Sequence, residues 1–280
     1  MNHGDLMKNK REERHFSRKK LSQNICSFSY LQRFENYGGK MDIDTLILLL
    51  ERMNIRIDEY YLEYQNFCPS RKDKYRERFK QSILQPNLIL AFISDLENEY
   101  CDTKDIFYMY LLVELKAIIQ NLPNQPNIAI SSNEISTLHF YLESVNNWEY
   151  FELAMYTNCL ALFDSSYLLY NHEDVLTKFH KFSSSFKYKQ ACVKFLVNSI
   201  ILCLEKKDYE DVPNLLEKLY CETEDSDYFK GRLYWYFFNS IFQQISGNIE
   251  FDIENFLIIF SRLGYNDDLE NFKDIINKVL

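Results

Sequence analysis

Residues 27–36 read SFSYLQRFEN. At about 100° per residue on a helix, Phe28, Leu31, Phe34 and Glu35 gather on one side. Ser29, Gln32, Arg33 and Asn36 gather on the other, with Tyr30 on the flank. The apolar side carries a glutamate, and the opposite side is built from residue types that pair with base edges and phosphates. Those types are also ordinary surface residues, so the surroundings must decide.

The chain is 280 residues long with a net charge of −9, and the charge is uneven. Residues 1–40 hold nine Lys/Arg and four Asp/Glu, a net +5, leaving −14 on the remainder. One end therefore suits a polyanion that the bulk of the chain repels. That basic end is no loose tail, because Leu21, Ile25, Phe28, Leu31 and Phe34 fall at helical spacing. With only 6 Gly and 5 Pro, the chain is too poor in turn residues for anything but helices with short connections. The expected fold class is all-α.

Seven cysteines are scattered without a CxxC pair, which reads as reduced thiols packed as small apolar groups in a cytoplasmic protein. No signal peptide and no membrane-length apolar run is evident. Five histidines include no HExxH, and NHED at 171–174 reads as a solvated loop rather than a metal site. No P-loop or GxGxxG is present, and nothing pairs a nucleophile with a base. The expectation is no enzyme, no cofactor and no metal.

Short helices follow one another through the first 66 residues. GDLMKNKREER (4–14) is the first, and FSRKKLSQN (16–24) holds the second, with Ser17 as N-cap and Asn24 as a left-handed stop. Ser27 caps the third, YGGKMD is a loop, and DTLILLLERMNI and IDEYYLEY complete the set. A tight turn between the second and third helices is the helix-turn-helix layout, whose second helix enters the major groove. The candidate DNA contacts are Arg18, Ser27, Ser29, Tyr30, Gln32 and Arg33.

This segment resembles the N-terminal domain of the Rgg/MutR family of bacterial transcriptional regulators. The matching positions are Gly4-Asp5-Leu6, Arg11 and Arg14, Ser17-Arg18-Lys19-Lys20-Leu21, and Leu31-Gln32-Arg33-Phe34-Glu35. The resemblance implies that the inward Glu35 pairs with Arg11 as a structural salt bridge. It also exposes departures. Arg18 stands where the family has Gln, Lys20 where a capping-box Glu belongs, and His15 where a turn Gly belongs, so the operator read by relatives cannot be transferred.

Residues 67–280 read as a helical-repeat array. Three helices, AMYTNCLALF, KFLVNSIILC and WYFFNSIFQQ, each carry one asparagine, and Asn158, Asn198 and Asn239 lie 40 and 41 residues apart. Apolar or aromatic residues stand two places to either side of each one. A single buried asparagine is commonly a satisfied core residue. A row of them offers donors and acceptors to the backbone of an extended peptide, with Tyr156 and Trp235 as apolar walls. This half is also similar to the family, whose C-terminal domain is a tetratricopeptide-like array. The similarity implies a cytoplasmic homodimer that binds a promoter as double-stranded DNA, through an inverted repeat. It also implies control by a short hydrophobic signalling peptide imported from outside, as in quorum sensing. The rival reading is a helical-repeat scaffold with a purely structural helix-turn-helix.

Overall fold

A computed structural model describes residues 1–120, 128–163, 165–248 and 252–280, with backbone alone at 86 and 165–172. The break expected at LPNQPN lies outside the described residues, as do the side chains of Asn171 and His172. Helices make up the described chain, and no strand occurs among the described residues. The backbone at 171–174 is helical, so NHED is not the loop its polarity suggested. The chain divides into two compact units, Met1–Phe92 and Ile93–Leu280, each with its own core.

The first unit holds α1 (His3–Glu13), α2 (Arg18–Ser22), α3 (Phe28–Tyr37), α4 (Ile43–Arg52), α5 (Ile57–Phe67) and α6 (Arg71–Leu84). Each of the first four begins at a residue that satisfies orphan N–H groups. Asn2 and Asp5 form a reciprocal box on α1. Ser17, Ser27 and Asp42 cap α2, α3 and α4 by accepting from Lys20, Tyr30 and Thr45 N–H. With Lys20 in place of a glutamate, the cap on α2 is one-sided. Asn24 takes the expected left-handed conformation at φ +60°, and His15 does the same at +56° in the turn between α1 and α2.

Leu6, Met7, Leu21, Leu31, Phe34, Leu49, Leu50 and Met53 form the core of this unit. Phe28 is not part of it: standing first in α3, it is half-exposed. Gly4 fixes how closely α1 and α3 approach, since a Cβ there would sit 2.1 Å from the Phe34 carbonyl oxygen.

The unit boundary falls later than residue 66. The long charged α6 resembles the start of a new domain in sequence. However, Arg78 lies over the Phe92 ring at 4.8 Å and Tyr75 packs on it at 6.0 Å. These contacts tie α6 to the start of α7 (Ile89–Thr103), and the division between the units lies within α7.

The second unit continues with α8 (Ile106–Gln120), α9 (Ser132–Ser144), α10 (Tyr150–Asn158), α11 (Ser165–His180), α12 (Phe186–Lys206), α13 (Val212–Glu222), α14 (Phe229–Ile245), α15 (Ile253–Leu263) and α16 (Asn266–Val279). Helix α12 packs on α10, α11, α13, α14 and α16, making it the spine of this unit. The asparagine-bearing helices are α10, α12 and α14, with α11 and α13 between them, which is the alternation of a helical-pair array. Phe272 of α16 packs against Phe237, Phe260 and Phe256 at 4.4, 4.8 and 5.3 Å. That aromatic cluster seats α16 on α14 and α15.

Candidate functional site

In the first unit, a buried ion pair organises the third helix. Arg11 donates from Nε to Glu35 Oε1 at 2.7 Å and from Nη2 to Oε2 at 2.9 Å. Glu35 is only 2% exposed, and its carboxylate pushes the Arg11 guanidinium pKa up through these bonds. A second arginine joins them, because Arg18 Nε donates to Glu35 Oε2 at 2.7 Å and its Nη2 to Asn36 Oδ1 at 3.2 Å. Arg18, expected among the DNA contacts, is here engaged with α3. Its side chain turns back onto α3, drawn by a buried carboxylate with a free lone pair for a second cation.

The remaining N-terminal candidates split in the same way. Ser27 Oγ is held by the cap, and the Tyr30 hydroxyl donates to the Lys40 carbonyl oxygen at 3.2 Å. Ser29 and Arg33 are exposed and Gln32 is half-buried. These three form the outward face of α3. Sequence reasoning missed Arg52, which donates from Nη1 to the carbonyls of Leu21 (2.9 Å) and Gln23 just past α2. It satisfies helix-end acceptors from across the unit.

In the second unit the asparagine row divides. The flanking positions Tyr156, Leu160, Leu196, Ile200, Phe237 and Ile241 are all buried, while the three asparagines are half-exposed. Residues two apart on a helix point about 200° from each other, so apolar flanks at ±2 place the asparagine on the outer side of the core. Tyr156 is thus no groove wall. It is fully buried and stacks on Phe163 at 5.8 Å, with Trp148 at 5.3 Å.

A cavity of about 1150 Å³ runs along α12. Asn198 lines it together with Val193, Lys194, Val197 and Ile201, opposite Asp227–Tyr234 and the face of α16 carrying Asp274, Ile275 and Lys278. Asn198 also donates to the Thr157 carbonyl at 3.0 Å, fastening α12 to α10. Asn158 is not in the lining. Its Nδ2 donates to Tyr110 Oη (2.7 Å) and Glu114 Oε1 (2.8 Å), and its Oδ1 accepts from Lys194 Nζ (2.7 Å). Its amide is taken up by positioning Lys194 rather than left open for a ligand. Burial raises the Glu114 carboxyl pKa, against lowering by Tyr110, Lys194 and Asn158.

Asn239 and Trp235 belong elsewhere, in a smaller depression of about 490 Å³ with Tyr220 and Phe242. There Trp235 meets Tyr220 edge-on at 4.8 Å. The row is therefore one cavity residue, one network residue and one residue of a separate depression. Ile118, which occupies the position one repeat before Asn158, does line the main cavity.

Residues 90–274 match the family described as HTH-type transcriptional regulator Rgg, C-terminal domain. The chain belongs to the Rgg family. Solved structures agree on the fold. The SHP pheromone receptor Rgg2 of Streptococcus dysgalactiae is 20% identical over 99% of this chain and 100% of its own, at a TM-score of 0.77. A transcriptional regulator of Listeria monocytogenes EGD-e is 17% identical over 99% of this chain and 97% of its own, at a TM-score of 0.81. A PrgX/iCF10 complex is 14% identical over 99% and 95%, at a TM-score of 0.72.

As an Rgg protein the chain is a transcriptional regulator, which leaves the scaffold reading without support. Among the described residues no helix is long and apolar enough to cross a membrane.

Proposed function

We propose that this Rgg protein binds operator DNA through the outer face of α3 and is controlled by a short, mostly hydrophobic peptide held along α12. The cavity is the observation that carries the reading. At about 1150 Å³ it exceeds the usual range of small-molecule pockets, roughly 300–1,000 Å³. Its walls alternate apolar groups (Val197, Ile201, Ile275) with charged ones (Lys194, Asp274, Lys278), a pattern that suits a peptide's side chains and its polar backbone. Relatives solved as a pheromone receptor and as a pheromone complex support the same class of ligand.

On the DNA side, Arg33, Gln32 and Ser29 read bases, and Tyr30 and Ser27 lie beside the backbone. Arg11, Arg18 and Glu35 hold the helix that presents them. The protein works as a cytoplasmic homodimer on an inverted repeat, with peptide binding as the switch.

The test uses full-length protein and a library of short hydrophobic peptides, read by thermal stabilisation. Peptides that stabilise the native protein should fail on Val197→Asp, which places a charge in the cavity wall, and should weaken on Asn198→Ala. Stabilisation that is equal in all three proteins would place the peptide elsewhere and overturn the assignment.

A further inference from the structure

Away from the cavity, three helices bring a histidine, a cysteine and a glutamate together. His180 ends α11, Cys192 lies in the first half of α12, and Glu222 ends α13. Their donor atoms all lie within 4.8 Å of one another, and this is the one such group among the described residues. His180 Nε2 and Glu222 Oε1 are 2.7 Å apart.

We infer that His180, Cys192 and Glu222 form a binding site for a borderline-soft divalent cation of the zinc type. Nitrogen, sulfur and carboxylate oxygen form a donor set that favours zinc-like ions over magnesium or calcium, which take all-oxygen shells. Bond lengths of about 2.0–2.3 Å to such an ion put tetrahedral ligands roughly 3.3–3.6 Å apart. From the present separations, at most 4.8 Å, the wider ones need to close by little more than one ångström, while His180 and Glu222, now 2.7 Å apart, need to part by well under one. The burial pattern gives an entry path, since the His180 side chain is 51% exposed while Cys192 forms the floor. Three protein ligands leave a fourth position for water.

Binding is balanced by one proton. The cation displaces the Cys192 thiol proton to solvent as the metal–sulfur bond forms. His180 gives up the Nε2 proton that its hydrogen bond to Glu222 had held and takes one on Nδ1, so a neutral ring changes tautomer with no net proton released, and the hydrogen bond is replaced by shared coordination. In the free protein, burial and the nearby Glu222 push the Cys192 thiol pKa up, so the bound cation supplies the charge that holds the thiolate. The ion would join α11, α12 and α13, and Cys192 is next in sequence to Val193 and Lys194 of the cavity wall.

The experiment titrates the full-length, metal-stripped protein with Co²⁺ and follows the near-ultraviolet thiolate-to-cobalt band. The native protein should show a saturable band that Zn²⁺ displaces and Mg²⁺ does not. Cys192→Ala should lose the band, and His180→Ala and Glu222→Gln should weaken binding by about tenfold or more. His180 is half-exposed, so its variant separates ligand loss from misfolding, and unchanged cobalt affinity in it would overturn the site. So would the absence of a saturable band in the native protein. A band that survives Cys192→Ala would belong to an exposed thiol such as Cys101 and would equally overturn it.

Discussion

Glu35 shows how one residue can be read correctly from its neighbours and still be under-counted. Its place on the apolar side of α3 demanded a cationic partner, and Arg11 was named from the family pattern. The second partner, Arg18, was not legible, because nothing in the spacing says that a residue of α2 turns inward. Removing the charge while leaving two arginines should be costly, so Glu35→Gln should destabilise the protein by about 3–5 kcal/mol in chemical denaturation. Arg33→Ala is the contrasting case. Arg33 is exposed, so stability should change by no more than about 0.5 kcal/mol. Operator binding should fall by about 1–3 kcal/mol if Arg33 pairs a guanine. Equal loss on operator and random duplex would assign it to phosphate instead.

At the scale of elements, the caps and the apolar periods of α1 to α5 were readable because each rests on local chemistry. The role of α16 was not, since nothing local says which helix a chain terminus will fold against. Two kinds of contact hold it. Lys278 meets Glu205 of α12 at 3.4 Å, and Lys230 of α14 meets Asp268 at 2.8 Å, both with exposed cations. Phe272 is buried in the aromatic cluster. Phe272→Ala should therefore cost about 3–5 kcal/mol and Lys278→Ala under about 1 kcal/mol in thermal or chemical melting. Comparable losses would mean that the ion pairs rather than the ring packing seat α16.

The asparagine helices teach a related point. The recurrence at 40 and 41 residues was real, but the ±2 flanks belonged to the core, which ruled out Tyr156 from the start. What the recurrence did not contain was α8, whose Tyr110 and Glu114 occupy Asn158. A proton gives a test of that network. Burial raises the Glu114 carboxyl from its ordinary 4.5, so the folded state binds this proton more tightly than the unfolded chain does. Stability from this group is fully present below about pH 4.5 and is lost as pH rises through the folded value. In Glu114→Gln that decline should vanish, so the native protein should lose stability relative to the variant as pH rises. A constant difference across the range would show the carboxyl to be unperturbed.

Over the whole molecule, charge sets the first 40 residues apart from the other 240. The basic first 40 residues and the acidic remainder predict weak, non-specific DNA binding that is easily screened. Affinity should fall with added salt along a log–log slope of about −0.9 for each phosphate neutralised. Selection from random duplexes should enrich an inverted repeat whose half-sites are centred a whole number of turns apart, about 10–10.5 base pairs each. Enrichment of a single half-site would argue for a monomeric reader. The all-helical plan was legible in the scarcity of Gly and Pro. The division within α7 was not, because packing such as that of Arg78 and Tyr75 on Phe92 leaves no mark on composition.

The inward turn of Arg18 separates two tasks on the third helix of this chain. Because Glu35 and Asn36 anchor it to α3, the fastening of that helix is kept apart from the outward side chains at Ser29, Gln32 and Arg33. If the outward face of α3 reads DNA as proposed, substitutions at those three positions would retarget the protein to a new promoter without reopening the fold, whereas changes at Arg11, Arg18 or Glu35 would alter every promoter at once. A lineage could rewire its regulon one surface residue at a time.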